Sequence, residues 1–102
     1  MKECCRTFLA EQFAGDANVM AEIYGEYVSS SLVKIAEAGK ALASCDWTQL
    51  DRIAHTMKGN AYAAGDTEMA ETAIALRKTA ELKNAAESAS LIARMDGLSK
   101  QL

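Results

Sequence analysis

The chain lacks proline and has almost no sequence pattern typical of a strand. Its 102 residues include no proline, one tryptophan and one histidine, while alanine, leucine, glutamate and lysine are abundant. Because proline breaks helices and those four residues favour them, the composition predicts helix over most of the chain. No alternating run of β-branched or aromatic residues is bounded by turn dipeptides, so no strand is predicted. The composition therefore indicates an all-α fold.

Excess positive charge and long apolar runs are also missing. Lysine and arginine number 11 against 14 aspartates and glutamates, which gives a net charge of -3. Nucleic-acid-binding domains normally carry a basic face, so no nucleic-acid partner is expected. No apolar run approaches the roughly 20 residues that cross a bilayer. Charged residues interrupt the N-terminal stretch MKECCRTFLAEQF, so neither a signal peptide nor membrane insertion is expected.

Cysteine is too scarce and too unevenly spaced for a disulfide framework. Cys4, Cys5 and Cys45 form an odd set without a C-x-x-C pair, which disfavours both disulfides and zinc. A single histidine without Glu-x-x-His pairs also disfavours a metal site in a helical bundle. We therefore expect a cytoplasmic protein without a metal or cofactor of its own.

Helix-start residues divide the chain into four long helices, which begin after Asp16, Asp46, Asp66 and Asn84. A short helix around residues 6–13 precedes them. The connections are only a few residues long, so helices adjacent in sequence should pack antiparallel. The predicted architecture is an antiparallel up-down four-helix bundle with a short additional N-terminal helix, in a single domain spanning residues 1–102.

Apolar residues recur at helical spacing in each segment and predict the core. Phe8, Leu9 and Phe13 of the short helix are expected to cap it. The predicted core positions are Met20, Ile23, Tyr27, Val28, Leu32, Ile35, Leu42, Leu50, Ala54, Met57, Ala61, Ala64, Met69, Ala73, Leu76, Ala80, Leu91, Met95, Leu98 and Leu102.

The only histidine, His55, lies in the stretch AHTMKGNAYAAG of the third predicted helix. At about 100° per residue, the apolar stripe of this helix falls within roughly 40° of Leu50, whereas His55 lies at about 140° and Gly59 at about 180°. His55 is therefore predicted to lie outside the core, with Lys58 and Gly59 as its i+3 and i+4 neighbours.

These three residue types in this pattern suit phosphoryl acceptance. Glycine in a helix interior costs about 1 kcal/mol relative to alanine, and on an exposed face its use is to leave space beside the imidazole. A largely neutral imidazole offers a nucleophilic nitrogen at physiological pH. The ammonium group of Lys58 could stabilise phosphoryl oxygens. Taken alone, a surface histidine usually has no function; the combination with Lys58 and Gly59 favours a site that receives an anion.

The same stretch resembles the signature of histidine-containing phosphotransfer (HPt) domains. That signature is a histidine, then Lys-Gly, then a further glycine, and His55, Lys58, Gly59 and Gly65 occupy those positions. Downstream, GDTEMAETAIAL resembles the next helix of the family, and upstream FAGDANVMAEIYGEY resembles the start of its second helix. The sequence departs from the usual family pattern at Met57, Asn60 and Tyr62.

The resemblance implies that His55 accepts a phosphoryl group from a phospho-aspartyl receiver domain and passes it to another. Lys58 would steady the phosphoryl group, Gly59 would give the partner access, and Gly65 would end the helix. The catalytic aspartates and Mg²⁺ would belong to the partner, so the chain would be a phosphoryl carrier and not an enzyme. Its partners would be response-regulator receiver domains or a hybrid sensor histidine kinase, and a monomer is expected. Candidate neighbours of the site are Asp51, Asn60 and Tyr62.

Two alternatives remain open at this point. The chain could be a helical adaptor that binds partners without phosphotransfer, although a degenerate member of the family typically lacks the histidine. It could also be the phospho-accepting domain of a larger sensor histidine kinase, whose ATP-binding domain would then be the donor.

Overall fold

A computed structural model describes residues 1–102 and shows five helices without strands, which confirms the all-α class. The helices are α1 (Glu3–Gln12), α2 (Ala17–Ala43), α3 (Trp47–Ala64), α4 (Thr67–Glu81) and α5 (Ala85–Ser99). Helix α1 begins earlier than the predicted range of residues 6–13. Helix α5 ends before Leu102, which lies beyond the last turn.

The predicted caps start the four longer helices. In each case the side chain of the N-cap residue accepts a hydrogen bond from a backbone N–H in the first helical turn. These N-cap residues are Asp16, Asp46, Asp66 and Asn84. Helix α3 ends at Gly65, whose φ of 76° lies in the left-handed region that glycine adopts most readily. Local sequence signals therefore determine where these helices begin and where α3 ends.

The four longer helices enclose one core. Helix α3 packs against α2 and α4, and α5 packs against α4 and α2. All predicted core positions of α3 and α4 are buried, as is Met95 in α5. Phe8 and Phe13 of α1 pack against the core, and Leu9 is fully buried, as predicted.

The prediction for Leu32 was wrong, because its side chain is 53% exposed. The buried stripe of α2 runs through Tyr27, Ser31 and Ile35, at a spacing of four residues. Leu32 lies about 100° around the helix from Ser31 and falls outside that stripe. Burial of the serine is compensated, because its hydroxyl donates a 2.8 Å hydrogen bond to the carbonyl oxygen of Tyr27.

A buried polar network joins α1 to the end of the bundle. The carboxylate of Asp66, which is fully buried, accepts hydrogen bonds from Lys2 Nζ at 2.9 Å and from the Tyr27 hydroxyl at 2.7 Å. The backbone N–H of Lys2 donates to the Tyr24 hydroxyl, which in turn donates to the carbonyl oxygen of Leu102. These contacts connect both chain ends to the turn between α3 and α4.

Burial and the charge of Asp66 shift the pKa values of Tyr27, Lys2 and the nearby buried Cys5. Burial, and then the hydrogen bond to Asp66, raise the pKa of Tyr27 well above its ordinary value of 10.0. Burial by itself would lower the pKa of Lys2, but the hydrogen bond and charge of Asp66 raise this pKa above its ordinary value. Burial raises the pKa of the Cys5 thiol to about 12, which keeps it protonated and unreactive near neutral pH.

Candidate functional site

His55 lies on the exposed side of α3, as the helical wheel predicts. The residue before it, Ala54, and Met57 two positions after it are buried in the core. His55 itself is exposed. A helix turns its consecutive residues by about 100°, so the buried stripe fixes the direction in which the imidazole leaves the helix. The only imidazole of the chain is therefore accessible to a partner.

One ring nitrogen of His55 contacts a side chain of α4. Arg77 Nη1 lies 3.1 Å from His55 Nδ1, and Arg77 Nε donates to Asp51 Oδ1 at 3.0 Å. Asp51 and Arg77 form an ion pair in which both side chains are about two-fifths exposed. The structure therefore brings the predicted neighbour Asp51 to the site through a third residue. His55 Nε2 has no hydrogen-bond partner.

Arg77 was not recognised from the sequence, although a signal for it was present. His55 and Arg77 are equally distant along the chain from Asp66, which lies in the tight turn between α3 and α4. Two helices that reverse direction at a tight turn place such residues opposite each other. Arg77 also directly follows the buried Leu76, so it lies at the edge of the packed face of α4.

Lys58 lies beside this contact and is not ion-paired. Its side chain is half-buried and forms no salt bridge or hydrogen bond. Lys58 lines a groove between α3 and α4 together with charged residues of both signs. The groove is lined by Asp51, Lys58, Ile74, Arg77, Lys78 and Glu81. Three cations therefore lie along one groove next to the exposed imidazole, and Arg77 is the one held by a carboxylate.

Gly59 is a helix-interior glycine that internal packing does not require. Apart from its two chain neighbours and the backbone of its own helix, a Cβ atom built on Gly59 would meet nothing within 4 Å. Its backbone is also ordinary helix, since the positive φ values among glycines belong to Gly15 and Gly65. The missing side chain therefore leaves open space on the surface one turn from His55.

The remaining predicted site residues differ in where they point. Asn60 Nδ2 donates to Ser30 Oγ of α2 at 3.2 Å and lines a different groove, between α2 and α3. Tyr62 is half-exposed and forms no hydrogen bond through its hydroxyl. Gly65 lies against α1, where a Cβ atom would approach Phe8 Cγ to 2.6 Å. None of these three residues forms a side-chain hydrogen bond with His55.

An exposed imidazole near an unpaired ammonium can accept an electrophilic, anionic group. The ring supplies a lone pair, and Lys58 can balance negative charge one helical turn away. No group of three or more His, Cys, Asp or Glu side chains is arranged to hold a metal ion. No helix has both the length and the apolar composition needed to cross a membrane.

Comparison with known protein families agrees with this geometry. The model of the family described as Hpt domain matches residues 22–102, which includes α3, α4 and α5 entirely and most of α2. The match begins after α1, which lies outside it. No curated protein and no solved structure matched the chain.

Proposed function

Because the chain belongs to the Hpt domain family, whose members carry out histidine phosphotransfer in phosphorelays, we propose that His55 is its phosphoryl acceptor. His55 would receive the group from the phospho-aspartyl residue of a receiver domain and pass it to a second receiver. The observation that carries this proposal is the exposure of the only imidazole on α3 beside Lys58 and Gly59. Any phosphohistidine formed on this chain must be at His55.

The roles of the neighbouring residues follow from their positions. Lys58 carries one of the unpaired cations of the groove and would attract and steady the phosphoryl oxygens. Gly59 would let a receiver's active site approach the imidazole without meeting a side chain at that position. Asp51 would act on His55 through Arg77, and Tyr62 would contribute exposed surface to the docking area.

Hpt domains are phosphoryl carriers and not catalysts. The acidic residues and the Mg²⁺ of the transfer reaction would therefore come from the receiver domain. In this division of labour the chain supplies a nucleophilic nitrogen, a compensating cation and an open approach. We propose response-regulator receiver domains, or the receiver of a hybrid sensor histidine kinase, as the partners, in the cytoplasm.

We also infer that residues 1–102 form a single domain. The contacts of Lys2 with Asp66, and of Tyr24 with both Lys2 and Leu102, support this by joining the two chain ends to one end of the helices. Short turns and the packing of each long helix on its sequence neighbours support an antiparallel up-down bundle, with α1 as the additional helix. We propose that this domain acts as a monomer.

The test is transfer of labelled phosphate from a panel of phosphorylated receiver domains to the chain. We expect label that is acid-labile, alkali-stable and absent from the His55→Gln variant. Because His55 is exposed, the variant should keep the thermal stability of the parent within about 0.5 kcal/mol. The Lys58→Ala variant should fold normally and accept label more slowly, since it removes a cation near His55 and breaks no salt bridge or hydrogen bond.

The two alternatives give different outcomes in the same assay. A phospho-accepting domain of a sensor kinase would take label from ATP through a kinase domain and not from receivers. An adaptor would bind receivers without taking label from either source. Label that persists in the His55→Gln variant would refute the assignment of the acceptor.

A further inference from the structure

The contact between Arg77 and His55 constrains where the imidazole carries its proton. Arginine has only N–H donors and stays protonated in proteins, so it cannot accept a hydrogen from the ring. In the 3.1 Å contact, His55 Nδ1 must therefore be the acceptor. A neutral imidazole has one N–H, which the contact consequently places on Nε2. The exposed nitrogen then has no free lone pair with which to attack phosphorus.

Asp51 strengthens this constraint. Its carboxylate accepts the Arg77 Nε–H at 3.0 Å, so the guanidinium is held from one side while Nη1 points to the ring. The planar guanidinium is rigid, and holding Nε fixes the direction of its other donors. The ion pair also keeps the arginine next to His55 when Nδ1 is not its acceptor.

We propose that Arg77 is a positioning residue that holds His55 in its less reactive tautomer until a partner displaces it from Nδ1. This inference rests on the proposed function of His55 and adds a regulation of the same site. We refer to the Asp51–Arg77–His55 arrangement as the latch. The latch keeps His55 less reactive while no receiver is bound, whereas Lys58 acts on the phosphoryl group itself.

The proton balance of the transfer explains why the latch must open. When Arg77 leaves, Nε2 releases its proton to water and Nδ1 takes one up, which frees the Nε2 lone pair. That pair forms the N–P bond while the P–O bond to the donor aspartate breaks, its electrons remaining on the carboxylate. The ring then carries a positive charge and loses the Nδ1 proton to water.

The same contact slows loss of the phosphoryl group once it is bound. After the Nδ1 proton has left, that nitrogen can again accept a hydrogen bond from Arg77. This favours the unprotonated ring, and a phosphoryl group leaves an unprotonated ring less readily than a protonated one. The latch therefore retards both the loading of His55 by small donors and the spontaneous hydrolysis of phosphohistidine.

One solvent-accessible hydrogen bond sets the expected size of these effects. A single contact of this kind changes an equilibrium by about 2- to 10-fold. Replacement of Arg77 by glutamine removes the charge and provides a carbonyl oxygen that can accept an Nδ1–H. The matched control is Lys78→Gln, which removes a positive charge from the same groove at a residue that forms no hydrogen bond with His55.

The first measurement is nitrogen NMR of protein labelled with ¹⁵N-histidine, in which His55 gives the only imidazole signals. We expect the Nε2–H tautomer to dominate in the parent protein and in Lys78→Gln. In Arg77→Gln the share of the Nδ1–H tautomer should rise about 2- to 10-fold. An unchanged tautomer ratio in Arg77→Gln would overturn the latch.

The second measurement uses phosphoramidate, a small phosphodonor that needs no receiver domain. We expect Arg77→Gln to be phosphorylated about 2- to 10-fold faster than the parent and to lose its label sooner. Lys78→Gln should react at the parent rate or more slowly, because only an attractive charge is lost. Slower phosphorylation of Arg77→Gln, equal to that of Lys78→Gln, would overturn the latch and assign Arg77 an attractive role alone.

The two proposals fail in distinguishable ways. The tautomer ratio is measured on unphosphorylated protein and does not depend on any transfer reaction. A shifted ratio in Arg77→Gln together with no label from any receiver supports the latch and refutes the proposed function. Receiver-dependent label on His55 with identical tautomer ratios supports the proposed function and refutes the latch.

Discussion

Gly59 provides the sharpest test of whether the surface of α3 is adapted to a partner. Replacement by alanine adds a methyl group that would meet no other helix and no side chain beyond its two chain neighbours within 4 Å. The residue lies in the interior of α3, with helical backbone on both sides. We therefore expect Gly59→Ala to increase the free energy of unfolding by about 1 kcal/mol, which is the difference in helix propensity. For a domain of this size the midpoint of thermal unfolding should rise by about 4–8 °C.

The same position should respond in the opposite direction in a transfer assay. Gly59→Leu places a bulky side chain one helical turn from His55 and should slow phosphoryl transfer from a receiver. The matched control is Gly25, an interior glycine of α2 whose added Cβ atom also meets nothing within 4 Å. Gly25→Ala should stabilise the fold by about the same 1 kcal/mol, and Gly25→Leu should leave transfer unchanged.

Two results would refute this reasoning. A destabilised Gly59→Ala variant, measured by thermal and urea unfolding followed by circular dichroism, would mean that the fold itself requires the glycine. Equal slowing of transfer by Gly59→Leu and Gly25→Leu would mean that the space beside His55 has no special role. A protein made more stable and less active by changes at one residue would instead indicate a site kept open for a partner.

Three further predictions concern the end of the bundle and its turns. Gly65→Ala should lower the free energy of unfolding by about 2–5 kcal/mol, because the new methyl group overlaps Phe8 and the backbone is left-handed. Gly15 has a similar φ but open space around it, so Gly15→Ala should lower the free energy of unfolding by only about 1–2 kcal/mol. The pKa of Tyr27 is higher in the folded state than its ordinary value of 10.0. The protonated hydroxyl therefore contributes fully to the free energy of unfolding below pH 10.0, and this contribution falls by about 1.4 kcal/mol per pH unit above pH 10.0. Between pH 8 and pH 11, the free energy of unfolding in urea should fall less in Tyr27→Phe than in the parent protein. An equal fall in both proteins would contradict the raised pKa of Tyr27. Lys83 lies between α4 and α5 with a φ of 54°. Lys83→Gly should raise the free energy of unfolding by about 1 kcal/mol, as measured by thermal unfolding, because glycine adopts this φ without strain. A destabilised variant would contradict backbone strain at this position.

Most of the fold could be predicted from local patterns. Asp16, Asp46, Asp66 and Asn84 start the helices because their short polar side chains satisfy backbone N–H groups, an interaction between residues close in sequence. The core stripes of α3 and α4 were likewise predicted, because helical periodicity alone separates buried from exposed positions. Leu32 was predicted incorrectly because the width of the buried stripe on α2 depends on how its neighbours pack, which the periodicity of one helix does not contain.

The candidate site divides in the same way. The exposure of His55 and its spacing to Lys58 and Gly59 are properties of one helix, so the sequence was sufficient to predict them. The partners of Asp66 were not predicted, because Lys2 and Tyr27 come from two other helices or their flanking residues. The sequence pattern predicts Asp66 only as a helix cap, which is one of the three interactions of its carboxylate.

The sequence by itself determined the helices, their starting points and the face on which the imidazole lies. Those properties arise from interactions between residues within one or two helical turns, which are already neighbours in the sequence. Only the tertiary structure decided which nitrogen of His55 is held and by what, since Arg77 reaches it from α4 across the groove. A contact between two helices depends on their register and on side-chain length, and both are set when the whole core packs.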